Sequence, residues 1–139
     1  MATEMASARR ARPQFRNVQI TQILSYRLPP AAVVSILHRI SGALLFLLLP
    51  FILYLLELSL SSEASFARLQ ATASHWLVRI VLVALTWALL HHLVAGLRYL
   101  ALDLHLGVDK EQARRSALAV FAISLPLALL AALKIFGVL

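Results

Sequence analysis

The chain has 139 residues, 61% hydrophobic and 14% charged, against soluble-domain averages of about 45–50% apolar and about 25% charged. Thirteen Lys and Arg against six Asp and Glu give a net charge of +7; the cations flank apolar runs instead of lining a soluble face, so they read as topology signals and not as a nucleic-acid surface. The lack of cysteine excludes disulfides, thiolate zinc sites and cysteine-ligated iron–sulfur clusters, and leaves five histidines as the main candidates for holding a metal.

Taken in order, residues 1–31 are expected to form a cytoplasmic N-terminal segment, of which 1–16 is basic with no apolar stretch followed by a small-residue cleavage site and so is expected to remain as a tail and not to be removed as a signal peptide. Residues 32–58 are long enough to cross a hydrocarbon core, which takes roughly 20 helical residues, and 40–56 carry no formal charge. A connection rich in Ser and Ala follows at 59–75, then a second span at 76–102, a charged connection at 103–115, a third span at 116–136 and a short C-terminal end at 137–139. Pro50 and Pro126 fall inside spans one and three, where local kinks are expected; neighbouring helices can re-satisfy the freed carbonyl. The expected fold is an all-α membrane protein of three transmembrane helices packed as one bundle.

Orientation follows from the cations beside the spans. Arg9, Arg10, Arg12, Arg16 and Arg27 precede the first span and Lys110, Arg114 and Arg115 lie in the second connection, whereas the opposite side has Arg68, Arg79 and Lys134. The N-terminus is therefore expected on the cytoplasmic side. The start of span one and the end of span two then meet at one membrane face, and these are the places where polar residues enter the apolar runs.

Span one opens with Ser35-Ile36-Leu37-His38-Arg39-Ile40-Ser41-Gly42. On a helix Ser35, Arg39 and Gly42 share a face and His38 lies beside it with Ser41 and Gly42. This patch is either a set of hydrogen-bond donors for a ligand or, for Arg39, an interfacial anchor that snorkels to water. Span two ends with His91-His92 followed by Gly96, Arg98, Tyr99 and Asp103. His92, Gly96, Tyr99 and Asp103 follow one continuous face, with His91, Ala95 and Arg98 on the next. An imidazole followed one turn later by glycine suits a haem, because the missing side chain lets a flat macrocycle approach the backbone. It suits equally a histidine hydrogen-bonded to a neighbouring helix, with Gly96 serving close packing. Arg98 and Asp103 could also form an interfacial pair. His92 lies about 16 Å of helical rise from Asp103, at about 1.5 Å per residue, which puts it deeper than His38, Arg39 and Arg98.

These runs, with Tyr26-Arg27-Leu28-Pro29 before them, resemble the signatures of the cytochrome b556 subunit of succinate dehydrogenase. The resemblance covers residues from about 12 to 107, with both motifs in order on the right spans. It implies a partnership with a second membrane anchor subunit, one haem b held between the two, and a ubiquinone site beneath an iron–sulfur subunit that carries a flavoprotein subunit. By the same resemblance His92 is the axial ligand to the haem iron, the second ligand coming from the other anchor. His38 lies by the haem propionates, Ser35 and Arg39 line the ubiquinone site, and Arg98 supports that region. Two departures stand out. Tyr99 replaces a histidine common after the arginine, and Arg12-Pro13-Gln14-Phe15-Arg16-Asn17-Val18 keeps only the outline of the usual N-terminal run. His91 is the competitor for the ligand role. The expected location is the bacterial inner membrane. Other classes are a proton-relay or transport subunit, for which acidic residues near mid-span are missing, and an anchor without cofactor. Dicarboxylate chemistry is not expected on this chain, which has neither flavin fold nor cluster cysteines.

Overall fold

The computed structural model describes residues 19–138. The arginines at 9, 10, 12 and 16, and the run from Arg12 to Val18, lie outside them. The described residues form six helices and no strand: α1 (Ile20–Ser25), α2 (Pro30–Leu47), α3 (Leu49–Ser61), α4 (Glu63–Ser74), α5 (Trp76–Asp103) and α6 (Lys110–Phe136). Three of these, α2, α5 and α6, with 18, 28 and 27 residues, are long and apolar enough to cross a membrane. At about 1.5 Å per residue even α2 reaches roughly 27 Å.

The first span is not one rod. Its helix stops at Leu47, Leu48 takes a turn conformation (φ −93°, ψ 4°), and α3 resumes at Leu49. Pro50 is the cause: it has no N–H for the ladder and its ring opposes the carbonyl four residues earlier, whereas in the first turn of a new helix neither matters. Pro126, in contrast, is carried inside an unbroken α6. The connection at 59–75 contains a helix of its own, α4. Its start is fixed by a reciprocal cap in which Ser65 N–H donates to Ser62 Oγ (3.1 Å) and Ser62 N–H to Ser65 Oγ (2.8 Å). His75 then caps α5, its Nδ1 accepting from Leu77 N–H at 3.3 Å. The helix that carries the third span starts at Lys110, after a short turn in which His105 and Gly107 adopt left-handed φ values of 60° and 73°.

α5 packs along α6, and α2 lies across both. Their contact is made by small side chains: Ala88, Ala95 and Ala117 are fully buried, which lets helix backbones approach closely, as membrane helices without a hydrophobic driving force between them require. Val34, Ala95, Ala117 and Val120 form the buried cluster, with Ala31, Val94, Tyr99 and Phe121 packed on it. The core therefore sits where the start of α2, the end of α5 and the start of α6 come together. Most of each span faces outward: 11%, 22% and 17% of the most apolar window is buried in α2, α5 and α6.

Candidate functional site

Two imidazoles meet between α2 and α5. The ring of His92 lies on that of His38 with centroids 4.1 Å apart and planes 9° from parallel. On its other flank His38 meets Tyr99, 5.1 Å away and tilted by 54°. The three side chains come from the two helix faces described above, but the stacking sets His38 at the level of His92, whereas helical rise alone suggested that His92 lies deeper.

Glycines make this approach possible. A Cβ placed on Gly42 would lie 2.9 Å from Cε1 and 3.3 Å from Nδ1 of His92, closer than real carbon contacts allow. The His92 ring thus occupies a notch in α2. Gly96 plays the converse part more loosely, since a Cβ there would stand 3.7 Å from Nε2 of His38, an ordinary contact. The space over Gly96 is taken by the His38 imidazole, on the face where a macrocycle was one expectation.

Hydrogen bonding fixes the state of His92. Its Nδ1 lies 3.1 Å from the carbonyl oxygen of His38 and 3.3 Å from Ser41 Oγ. A carbonyl can only accept, so Nδ1 must carry the proton, and in the neutral ring Nε2 keeps its lone pair. The Ser41 hydroxyl donates to the same carbonyl at 2.9 Å, leaving its oxygen to accept from Nδ1–H. Ser41 is completely buried. Ser41 and Gly42 were legible as neighbours of His38 in the sequence, but nothing there assigned them to His92.

His91 sits in a different place. It is fully buried, between Trp87 and Phe121 at ring-centroid distances of 5.6 and 5.8 Å, and neither ring nitrogen has a hydrogen-bond partner among the described residues. The Tyr99 hydroxyl and Ser124 Oγ are likewise buried without a partner there.

Arg98 turns away from the imidazole pair toward α6, where Nε donates to Ser116 Oγ (2.9 Å) and Nη2 to the Ala113 carbonyl (3.2 Å). It ties α5 to α6 rather than pairing with Asp103, which is exposed. The ion pair seen among the described residues is Glu111–Arg115, at 3.1 Å on the surface. Ser35, half-buried, and Arg39, exposed, stand one turn apart on α2 near its charged end. Among the described residues no group of three or more His, Cys, Asp or Glu side chains forms a self-contained metal site.

Three apolar spans, with an imidazole pair held between α2 and α5 and most of their surface still outward, define a multi-pass membrane subunit that carries a polar site. The comparisons agree. The family model described as succinate dehydrogenase/fumarate reductase transmembrane subunit matches residues 9–131. The succinate dehydrogenase cytochrome b556 subunit of Paracoccus denitrificans is 40% identical over 111 residues, covering 80% of this chain and 85% of the relative. That of Coxiella burnetii is 40% identical over 110 residues, covering 78% and 85%. The chain belongs to this family and is a membrane-anchor cytochrome b subunit.

Proposed function

We propose that the chain holds one haem b jointly with a second anchor subunit and contributes to the ubiquinone-reduction site of a succinate:ubiquinone oxidoreductase. The observation that carries this reading is the hydrogen bonding of His92: Nδ1 is engaged by a backbone carbonyl, which makes Nε2 the ring nitrogen that would meet a metal. Imidazoles that ligate metals regularly donate their second ring N–H to a carbonyl or carboxylate, which fixes tautomer and orientation and raises basicity. His92 therefore fits as the axial ligand this chain supplies. His91, packed against Trp87 and Phe121, makes no comparably well-formed hydrogen bond among the described residues. A haem bound here supplies one-electron chemistry.

The remaining residues take their parts from position. His38 lies flat against the ligand imidazole with Tyr99 beside it, and it would serve the haem propionates. Ser35 and Arg39 offer a hydroxyl and a guanidinium without an ion-pair partner among the described residues, one turn apart and suited to a quinone carbonyl. Arg98, bonded to Ser116 and Ala113, supports this region by joining α5 to α6. The iron–sulfur and flavoprotein subunits dock at the face where α2 begins, which the cation distribution assigns to the cytoplasm, and the membrane is the bacterial inner membrane.

The deciding experiment is a dithionite-reduced minus oxidised spectrum of the purified complex with His92→Ala beside the parent. A b-type α-band present in the parent and lost in the variant is the expected result. A band unaffected by the substitution removes His92 from the ligand role.

A further inference from the structure

Resting on the reading of His92 as the haem ligand, we infer that Ser41 and Gly42 are the positioning residues of that imidazole. Ser41 holds the ring's tautomer and angle, and Gly42 leaves the space that the ring fills.

One turn of α2 supplies these contacts. Residues three and four after His38 stack on the same helical face as His38 itself, so the turn from 38 to 42 presents a ring, a carbonyl, a hydroxyl and a bare backbone to His92. The ring is held flat by His38 at 4.1 Å. Its Nδ1–H is shared between the His38 carbonyl at 3.1 Å and Ser41 Oγ at 3.3 Å. Rotating the ring by half a turn about its bond to Cβ would set a carbon against both acceptors and forfeit both bonds. The Ser41 proton, committed to the carbonyl at 2.9 Å, makes the hydroxyl an acceptor toward His92 and so favours the proton on Nδ1. On the Gly42 side a methyl group would press on the Cε1 edge, 2.9 Å away. Because Cε1 lies between the two nitrogens, any shift that relieves this contact also moves Nε2.

Ser41 is fully buried on a helix whose other core contact, Val34, is apolar. A hydroxyl there is expensive unless its bonds are made, and the bonds it makes are those that define His92. Exchange of Ser41 for alanine removes this hydroxyl and almost no volume, which separates positioning from packing.

The test uses the complex purified with its partner subunits, carrying Ser41→Ala, Ser41→Thr, Gly42→Ala or His92→Ala. Haem per complex, the low-temperature EPR g values of the oxidised haem and its midpoint potential are measured. Ser41→Ala is expected to keep full haem content while shifting both g values and potential, and Ser41→Thr to return them toward the parent. Gly42→Ala is expected to weaken haem retention by about 10- to 100-fold, the usual cost of disturbing a ligand's support. Parental spectra, potential and haem content in both Ser41→Ala and Gly42→Ala, with haem lost in His92→Ala, overturn the positioning role and leave the ligand reading intact. A threonine variant that shifts the signals as alanine does assigns the effect to packing and also overturns it. Haem retained in His92→Ala overturns the ligand reading and this inference together. Should Gly42→Ala fail to assemble on a native gel, the Ser41→Ala spectra decide the matter alone.

Discussion

His92 and Gly42 fit one another as ring and notch: the imidazole of one helix fills the volume that a side chain on the other would need. His38 and Gly96 repeat the arrangement in the opposite sense, with more room. The two helices are thus locked by a reciprocal exchange in which each contributes a histidine and a glycine.

The difference in clearance gives a first prediction. Gly96→Ala should assemble with parental haem content, because its methyl meets His38 at an ordinary contact distance, whereas Gly96→Val should displace His38 and lower haem content. Both are read from the reduced α-band per complex. Loss of the band in Gly96→Ala would mean that a larger group than His38 uses that space.

A second prediction concerns His91. A fully buried imidazole whose nitrogens make no well-formed hydrogen bond among the described residues carries a desolvation cost of about 1–3 kcal/mol. His91→Leu, similar in size and apolar, is expected to retain the haem spectrum and to melt no lower than the parent in a detergent thermal-shift assay. Disappearance of the α-band in this variant would give His91 the ligand role.

Arg39→Ala supplies the third. An exposed guanidinium on α2 with no hydrogen-bond partner among the described residues is available to a ligand. The variant complex should reduce ubiquinone at least ten-fold more slowly, a loss of about 1.4 kcal/mol of transition-state stabilisation, while oxidising succinate with an artificial dye at the parental rate. Equal loss of both activities in a correctly assembled complex would contradict a quinone-site role.

The fourth rests on the tie between α5 and α6. Arg98→Lys keeps the charge but not the planar fork that reaches Ser116 and Ala113 together. Loss of a hydrogen bond made by a charged group costs about 1.5–3 kcal/mol, so a lowered thermal midpoint with an unchanged haem spectrum is expected. A shifted spectrum at parental stability would instead bring Arg98 into the haem region.

The three spans were legible because apolar length alone selects them, and the meeting of span one's start with span two's end followed from their alternating direction. The break at Leu48 was legible in its cause, Pro50, although α3 starts one residue before that proline. Helix α4 was less so. Its Ala-rich segment reads as a loop until Ser62 and Ser65 are recognised as partners in a cap, with serine where Glu or Gln is usual. At the site, periodicity placed His38, His92 and Tyr99 on facing stripes. It could not separate His91 from His92, since neighbours on a helix differ by about 100° and only the packing of α6 decides which one is enclosed. Nor could it show that Arg98 prefers Ser116 to Asp103, because that choice depends on how α6 lies against α5.

The break after Leu47 also shapes the far half of the molecule. Beyond it α3 makes no close backbone approach to α5 or α6, and a cleft of about 320 Å³ opens between Ile52 and Leu55 on one side and Leu82, Leu85 and Leu89 on the other. Packing is therefore looser around α3 than where α2 meets α5. Local unfolding follows local packing, so amide exchange should be slow around residues 91–99 and faster from 51 to 61. Looseness is kept at a distance from the pair of rings whose spacing matters.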